Sequence, residues 1–280
     1  MKKTAVIIIS ILLIAGFVGL VWHGVQHSRG IPAAAEKIER VKLGVPFIDK
    51  EIELSGGIAE DMWNDIEPKE IKLMQQVTVL PWGTSLVSPI KVKAFHNKRD
   101  IYFHISWHDE TEARTIERNR FSDACAILFP MDDSAEPPTI MMGFLGKANI
   151  WQWKASQDRE FWLSQARETK AYADFYYPFE EEELFPVSKD LPKSGANDLI
   201  AIRVGTITPK DTQNVQGRGF WRDGVWQVVF RRAFDSFDEE EDAVFISGKK
   251  RLCAFAVWNG EKGDRGGRKS ISDWVELRVH

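Results

Sequence analysis

Residues 90–109, IKVKAFHNKRDIYFHISWHD, leave the chain little choice of local fold. Ile90, Val92 and Ala94 alternate with polar side chains, HNKRD supplies a turn, and Ile101, Phe103, Ile105 and Trp107 alternate again. A period of two is the signature of a strand and is incompatible with an amphipathic helix, so the stretch predicts a β-hairpin with one buried face. His104 falls on the set opposite the apolar residues and is expected to face solvent. Further strands are expected in DACAILFP, KANIWQWKA, DLIAIRVGTI, GVWQVVFRRAF, KRLCAFAVWNG and the closing SDWVELRV, punctuated by glycine, proline and acidic clusters. Many short strands with few helices predict an all-β protein, an antiparallel β-sandwich.

Residues 156–197 break this rhythm. A short helix around 160–171 followed by loop is expected there, as a lid over a site or as a surface excursion. The acidic runs Glu180 to Glu183 and Asp238 to Asp242 read as solvated loops, or as a field that steers a basic partner protein.

The N-terminus carries Lys2 and Lys3, then an uncharged run from Ala5 to Trp22. Eighteen helical residues at about 1.5 Å each span about 27 Å, close to the hydrocarbon core of a bilayer. The positive flank stays in the cytoplasm, so the remainder is expected to be exported. The segment is either a retained single-pass transmembrane anchor or a signal removed near PAAA at residues 32–35. Residues 1–40 are thus expected to be anchor or signal plus tether, and 41–280 the folded domain.

Composition narrows the function classes. A formal net charge of -4 gives no basic footprint for nucleic acid. Eleven tryptophans suggest a β-rich core, a stacking surface, or a pocket for a flat apolar group. Cys125 and Cys253 lie in strand-like stretches and are either a disulfide of an exported protein or two buried thiols. No Cys-x-x-Cys-His run offers covalent haem attachment. There is no Gly-x-Ser-x-Gly elbow, Walker loop, dinucleotide fingerprint or His-Glu-x-x-His, and His104 with His108 lacks further metal ligands. No catalytic constellation emerges. Three of the six methionines, Met131, Met141 and Met142, crowd within a dozen residues. They serve as core filler or as soft ligands able to hold haem iron.

Four stretches then carry a resemblance: FSDACAILFP, MMGFLGKANIWQWKA, GRGFWRDGVWQVVFRR and AFAVWNGEKGDRGGRKSISDWVEL. In order and spacing they resemble the haem b-binding gamma subunit of the type II dimethyl sulfoxide reductase family, which includes ethylbenzene dehydrogenase and the selenate, chlorate and nitrate enzymes. The resemblance implies a sandwich like a carbohydrate-binding module. It also implies one noncovalent haem b with methionine and lysine axial ligands. Carried over, the methionine before the glycine is Met142 and the lysine after the Gly/Arg-rich loop is Lys269. Met141 is the rival thioether, since neighbours on a strand face opposite ways, and Lys147 and Lys154 are rival amines. Arg268 is one candidate to neutralise the propionates. Trp151 and Trp153 either pack on the macrocycle or fill the core.

The implied role is a non-catalytic electron-transfer subunit. Its partners would be an iron–sulfur subunit, a molybdopterin catalytic subunit and an external cytochrome or membrane donor, on the periplasmic side of the membrane. The alternatives are an exported carbohydrate-binding module with stacked tryptophans, and a haem-less subunit that anchors a larger complex.

Overall fold

The computed structural model describes residues 39–58, 60–78, 80, 82–132, 140, 144, 146–164, 171–176, 185–190, 192–203, 205–236 and 238–280. The expected membrane segment, Met141, Met142 and the Glu180 to Glu183 run lie outside the described residues. Among the described residues no helix is long and apolar enough to cross a membrane.

The strands are β1 (Val41–Val45), β2 (Lys69–Ile71), β3 (Leu73–Gln75), β4 (Ile90–His96), β5 (Asp100–His108), β6 (Ala124–Pro130), β7 (Ala148–Lys154), β8 (Ala171–Tyr176) and β9 (Phe185–Asp190). They continue with β10 (Ala196–Ala201), β11 (Ile207–Pro209), β12 (Gln216–Arg222), β13 (Val225–Ala233), β14 (Lys250–Trp258), β15 (Ser270–Ser272) and β16 (Val275–Val279). Among the described residues there are two α-helices, α1 (Glu60–Trp63) and α2 (Ala155–Ser164). A nine-stranded sheet runs β1-β16-β14-β6-β7-β10-β11, with β15 and then β3 branching from β14. A five-stranded sheet runs β12-β13-β5-β4-β2. The hairpin expected at 90–109 is β4–β5, with Val92 opposite Ile105 and Ala94 opposite Phe103. One pair departs from the antiparallel expectation: β1 runs parallel to β16, Val41 opposite Val275.

Alternation decides what lies between the sheets. Ile90, Val92, Phe103, Ile105 and Trp107 of the small sheet meet Cys125, Ile127, Phe129, Trp151, Trp153, Phe255 and Val257 of the large one, in one buried cluster. Trp151 and Trp153 therefore fill the core. Trp153 packs edge-on against Trp226, with ring centroids 5.0 Å apart, and Trp226 stacks on Trp107 at 6.1 Å. Gly219 of β12 lies directly over Trp153, and a Cβ there would run into the indole ring.

Buried indole N–H groups need acceptors. Trp151 donates to Asn149 Oδ1 at 3.0 Å, Trp153 to Asp158 Oδ1 at 2.9 Å, and Trp226 to Asp123 Oδ2 at 3.0 Å. Asp158 also accepts from Gly219 N and pairs with Arg114 at 3.2 Å. Burial pushes the Asp158 carboxyl up to about 6, against the opposing pull of Trp153 and Arg114. Burial, and then the charge of Asp109, push Asp123 up to about 7.

Three expectations change, and the alternatives for the cysteines are decided. His104 is 6% exposed rather than solvent-facing. Residues 48–66 fold over the outer face of the small sheet, setting Trp63 5.0 Å from the His104 ring in a second apolar cluster with Ile52, Leu54 and Tyr102. The helix in the 156–197 stretch begins earlier, at Ala155, and the loop expected after it contains the antiparallel β8–β9 pair. Asp242, taken as part of a solvated run, is buried and pairs with Lys210 and Ser236. Cys125 and Cys253 are both free and buried; Cys125 stands opposite Val257, four residues along β14 from Cys253, so they do not face each other.

Two outcomes follow. Gly219→Ala forces the Trp153 ring from its site and costs about 1–3 kcal/mol, read as a lower urea midpoint with an unchanged slope. Burial lowers the His104 pKa to about 4 from 6.5. The stability this neutral imidazole contributes is therefore complete above pH 6.5 and lost as pH falls toward 4, because only the unfolded chain takes up the proton. His104→Gln, which keeps a donor for Gln227, removes that dependence. Wild type should lose roughly 2–3 kcal/mol more than the variant between pH 7 and pH 4.

Candidate cofactor site

With the inner faces filled, the other face of the large sheet presents a different surface. On β6, Cys125, Ile127 and Phe129 point inward, so Ala124, Ala126 and Leu128 point outward. On β14, Cys253, Phe255 and Val257 point inward, so Leu252, Ala254, Ala256 and Trp258 point outward. The register sets Ala126 beside Ala256, Ala254 beside Leu128, and Trp258 beside Ala124. Four alanines on two adjacent strands make a flat apolar floor. Ile150 and Leu199 border it from β7 and β10, and Ile271 and Trp274 from the far side. Ile140 and Phe144 pack on the same face, Phe144 against both groups of residues.

Alanine is uncommon in strands because it offers little to pack. Outward alanines at the centre of a nine-stranded sheet present little side-chain bulk, and Ala124, Ala126 and Ala254 are buried there. In the sequence the only sign of them is ACA and CAFA, where alanine recurs on one parity of each strand.

Lys269 lies at the border of this floor, half-buried, at the end of the loop joining β14 to β15. Its Nζ sits 5.0 Å from the centroid of the Trp258 ring, and its carbonyl accepts from Gln76 N at 2.9 Å. Lys154 ends β7 on the same face, opposite Ala124, two strands from β15 through β6 and β14. Lys147 is exposed just before β7. Met142, outside the described residues, is flanked in sequence by Ile140 and Phe144.

The loop carrying Lys269 is built to hold its shape. Asn259 Nδ2 donates to Asp109 Oδ2 at 3.1 Å, Asn259 N to Asp264 Oδ2 at 3.1 Å, and Lys262 N to Asn259 Oδ1 at 2.9 Å. Gly260 N donates to Asp123 Oδ1 at 2.8 Å, tying the loop to the carboxylate that holds Trp226. Gly260 sits so close to the Phe121 carbonyl that no Cβ fits, which explains a glycine there. Ser85 Oγ donates to Asp264 Oδ2 at 3.1 Å, and Trp258 Nε1 to Gly266 O at 2.9 Å. Arg265 and Arg268 close a tight turn by mutual backbone bonds, so Lys269 leaves it in a fixed direction. Burial raises the carboxyls of Asp109 and Asp264 above their usual range. Among the described residues no group of three or more His, Cys, Asp or Glu side chains is placed to hold a metal ion.

The residues fit a flat, largely apolar prosthetic group better than a sugar. The floor is alanine, its rim is aliphatic and aromatic, and the available donor is an amine. Trp107, Trp151, Trp153 and Trp226 are buried between the sheets and offer no stacking surface. Trp258→Phe should cost about 1 kcal/mol by losing the Gly266 bond alone. Trp258→Ala should cost about 3–5 kcal/mol and speed tryptic cleavage within residues 262–269, followed by mass spectrometry.

The family model for ethylbenzene dehydrogenase matches residues 60–270. A respiratory nitrate reductase heme subunit of Haloferax mediterranei is 26% identical over 237 residues, 81% of this chain and 72% of that protein. The chlorate reductase gamma subunit of Ideonella dechloratans is 21% identical over 200 residues, 70% of this chain and 67% of that protein. The dimethylsulfide dehydrogenase gamma subunit of Rhodovulum sulfidophilum is 26% identical over 187 residues, 64% of this chain and 56% of that protein. Among solved structures, a family 9 carbohydrate-binding module of Caldicellulosiruptor kristjanssonii with cellotriose covers 85% of this chain and 93% of its own, at 10% identity and a TM-score of 0.43. Matched over three quarters of its length, from the helix α1 through the Lys269 loop, the chain belongs to the ethylbenzene dehydrogenase family.

Proposed function

We propose that this chain is a non-catalytic electron-transfer subunit that holds one noncovalent haem b against the outer face of its large sheet. The observation that carries the proposal is the alanine floor of β6 and β14, bordered by Lys269, in a chain whose relatives are named heme and gamma subunits of respiratory enzymes. Met142 and Lys269 are the axial ligands in this reading. Its support is that Ile140 and Phe144, on either side of Met142, pack on the face that Lys269 borders. Met141, the adjacent thioether, remains the competitor that mutagenesis distinguishes.

The haem, when bound with both axial positions filled, supplies one-electron transfer and no open site for a small ligand. What the chain supplies is shape, apolarity and a held amine. A lysine ligates only as the neutral amine, although a free side chain has a pKa of about 10.4. The Trp258 ring and the rigid loop fix the direction from which the Lys269 side chain approaches. The alanine floor lets a planar ring approach the backbone of the sheet, and Leu128, Ile150 and Ile271 keep water from its edges.

In this role the subunit exchanges electrons with an iron–sulfur subunit wired to a molybdopterin catalytic subunit on one side, and with an external cytochrome or membrane donor on the other. The uncharged run Ala5 to Trp22 behind Lys2 and Lys3 supports export to the extracytoplasmic side of the membrane, with residues 1–40 as anchor or signal.

A pyridine haemochrome assay on the purified full chain tests the proposal, with about one haem b per chain expected. Lys269→Ala and Met142→Ala should each lose most of the haem or its six-coordinate spectrum, whereas Met141→Ala should keep both. Ala256→Phe, at a half-buried position of the floor, should exclude the haem, and the melting curve of the haem-free chain checks that it folds. A wild-type protein that shows no Soret band after haem reconstitution overturns the reading.

A further inference from the structure

The haem reading leaves one thioether on the floor without a role. The row of outward side chains that runs Ala126, Ala256, Ile271 across β6, β14 and β15 continues onto the edge strand β3, where Met74 stands opposite Ile271. Leu73, the preceding residue, belongs to the core between the sheets, so Met74 faces outward. The ladder extends one pair further, since Gln76 N donates to the Lys269 carbonyl at 2.9 Å. Met74 is therefore the diagonal neighbour of Lys269 on the same face, with Cβ atoms roughly 7 Å apart.

Exposure sets Met74 apart from its row. Ile271 beside it is 5% exposed, and Met74 is 36% exposed. An unbranched, polarizable thioether at the rim of an apolar floor suits contact with a flat aromatic ring, to whose surface it can adapt. In the proposed reading the thioether ligand is Met142, so Met74 would touch the haem without ligating it.

We propose that Met74 is a haem-contacting residue, packing its thioether against the ring on the Lys269 side and closing the solvent-facing edge of the pocket there. This rests on the haem reading and adds to it a wall that sets the polarity beside the iron–amine bond. Burial and local polarity are main determinants of haem potential, and a dry edge disfavours the more highly charged ferric state.

The test is a spectroelectrochemical titration of the haem-loaded full chain with Met74→Leu, Met74→Ala and Met74→Glu. Met74→Leu should titrate close to wild type. Met74→Glu should favour the ferric form at least tenfold, a fall in midpoint of about 59 mV for a one-electron couple. Met74→Ala should shift in the same direction by less. Met74 lies at a sheet edge outside the core, so these variants are expected to fold, which the melting curve of the haem-free protein checks. Wild-type midpoints for both Met74→Glu and Met74→Ala, in chains that carry haem, overturn the role of Met74 alone. Absence of haem from the wild type overturns it together with the reading on which it rests.

Discussion

The aromatic layer between the two sheets is the constraint from which the rest of the structure follows. Trp107, Trp151, Trp153 and Trp226 occupy it almost without exposure, and their size leaves no free space between the sheets for a second large planar group. An indole N–H buried in such a layer is costly to leave unpaired. Asn149, Asp158 and Asp123 meet three of them, and the two carboxyls are held above their usual range by the burial this requires. Asp123 also receives Gly260 N, so the same carboxylate that secures the core fixes the start of the loop that ends in Lys269.

A filled core moves any cofactor chemistry to an outer face, and the two outer faces are not equivalent. Residues 48–66 cover that of the small sheet, with Trp63, Ile52 and Leu54 lying over Tyr102 and His104. The large sheet instead turns four alanines outward on neighbouring strands, with aliphatic side chains around them and a lysine at the rim. For a subunit that only carries electrons this division is economical. The core supplies rigidity, and the outer face supplies an apolar surface on which the proposed haem would sit.

Much of the fold was legible because strand alternation is a local signal. The β4–β5 hairpin and the strands around Cys125, Trp151, Trp226 and Cys253 lie where the alternation of apolar residues places them. The failures have a common physical cause. His104 was assigned to solvent because it opposes the apolar set of its own strand, but a distant segment covers that face. Asp242 was read with its acidic neighbours, although Lys210, far from it in sequence, draws it inward. The β8–β9 pair lacks the polar–apolar alternation on which strand assignment rests, so 156–197 read as helix and loop. Lys269 would have passed for an exposed loop residue without the family resemblance, and Met74 drew no notice because β3 is only three residues long.

The sequence alone determined that this is a chain of short strands with a tryptophan-rich interior, and its resemblance to one family offered Lys269 and Met142 as candidate ligands. Tertiary structure alone decided which strands lie side by side, and hence that Ala124, Ala126, Ala254 and Ala256, separated by more than a hundred residues, form one floor with Lys269 and Met74 at its edge. The reason is physical. Alternation fixes the two faces of each strand by local sterics, whereas the neighbours across a sheet are chosen by the packing of the whole core, which no single stretch of sequence contains.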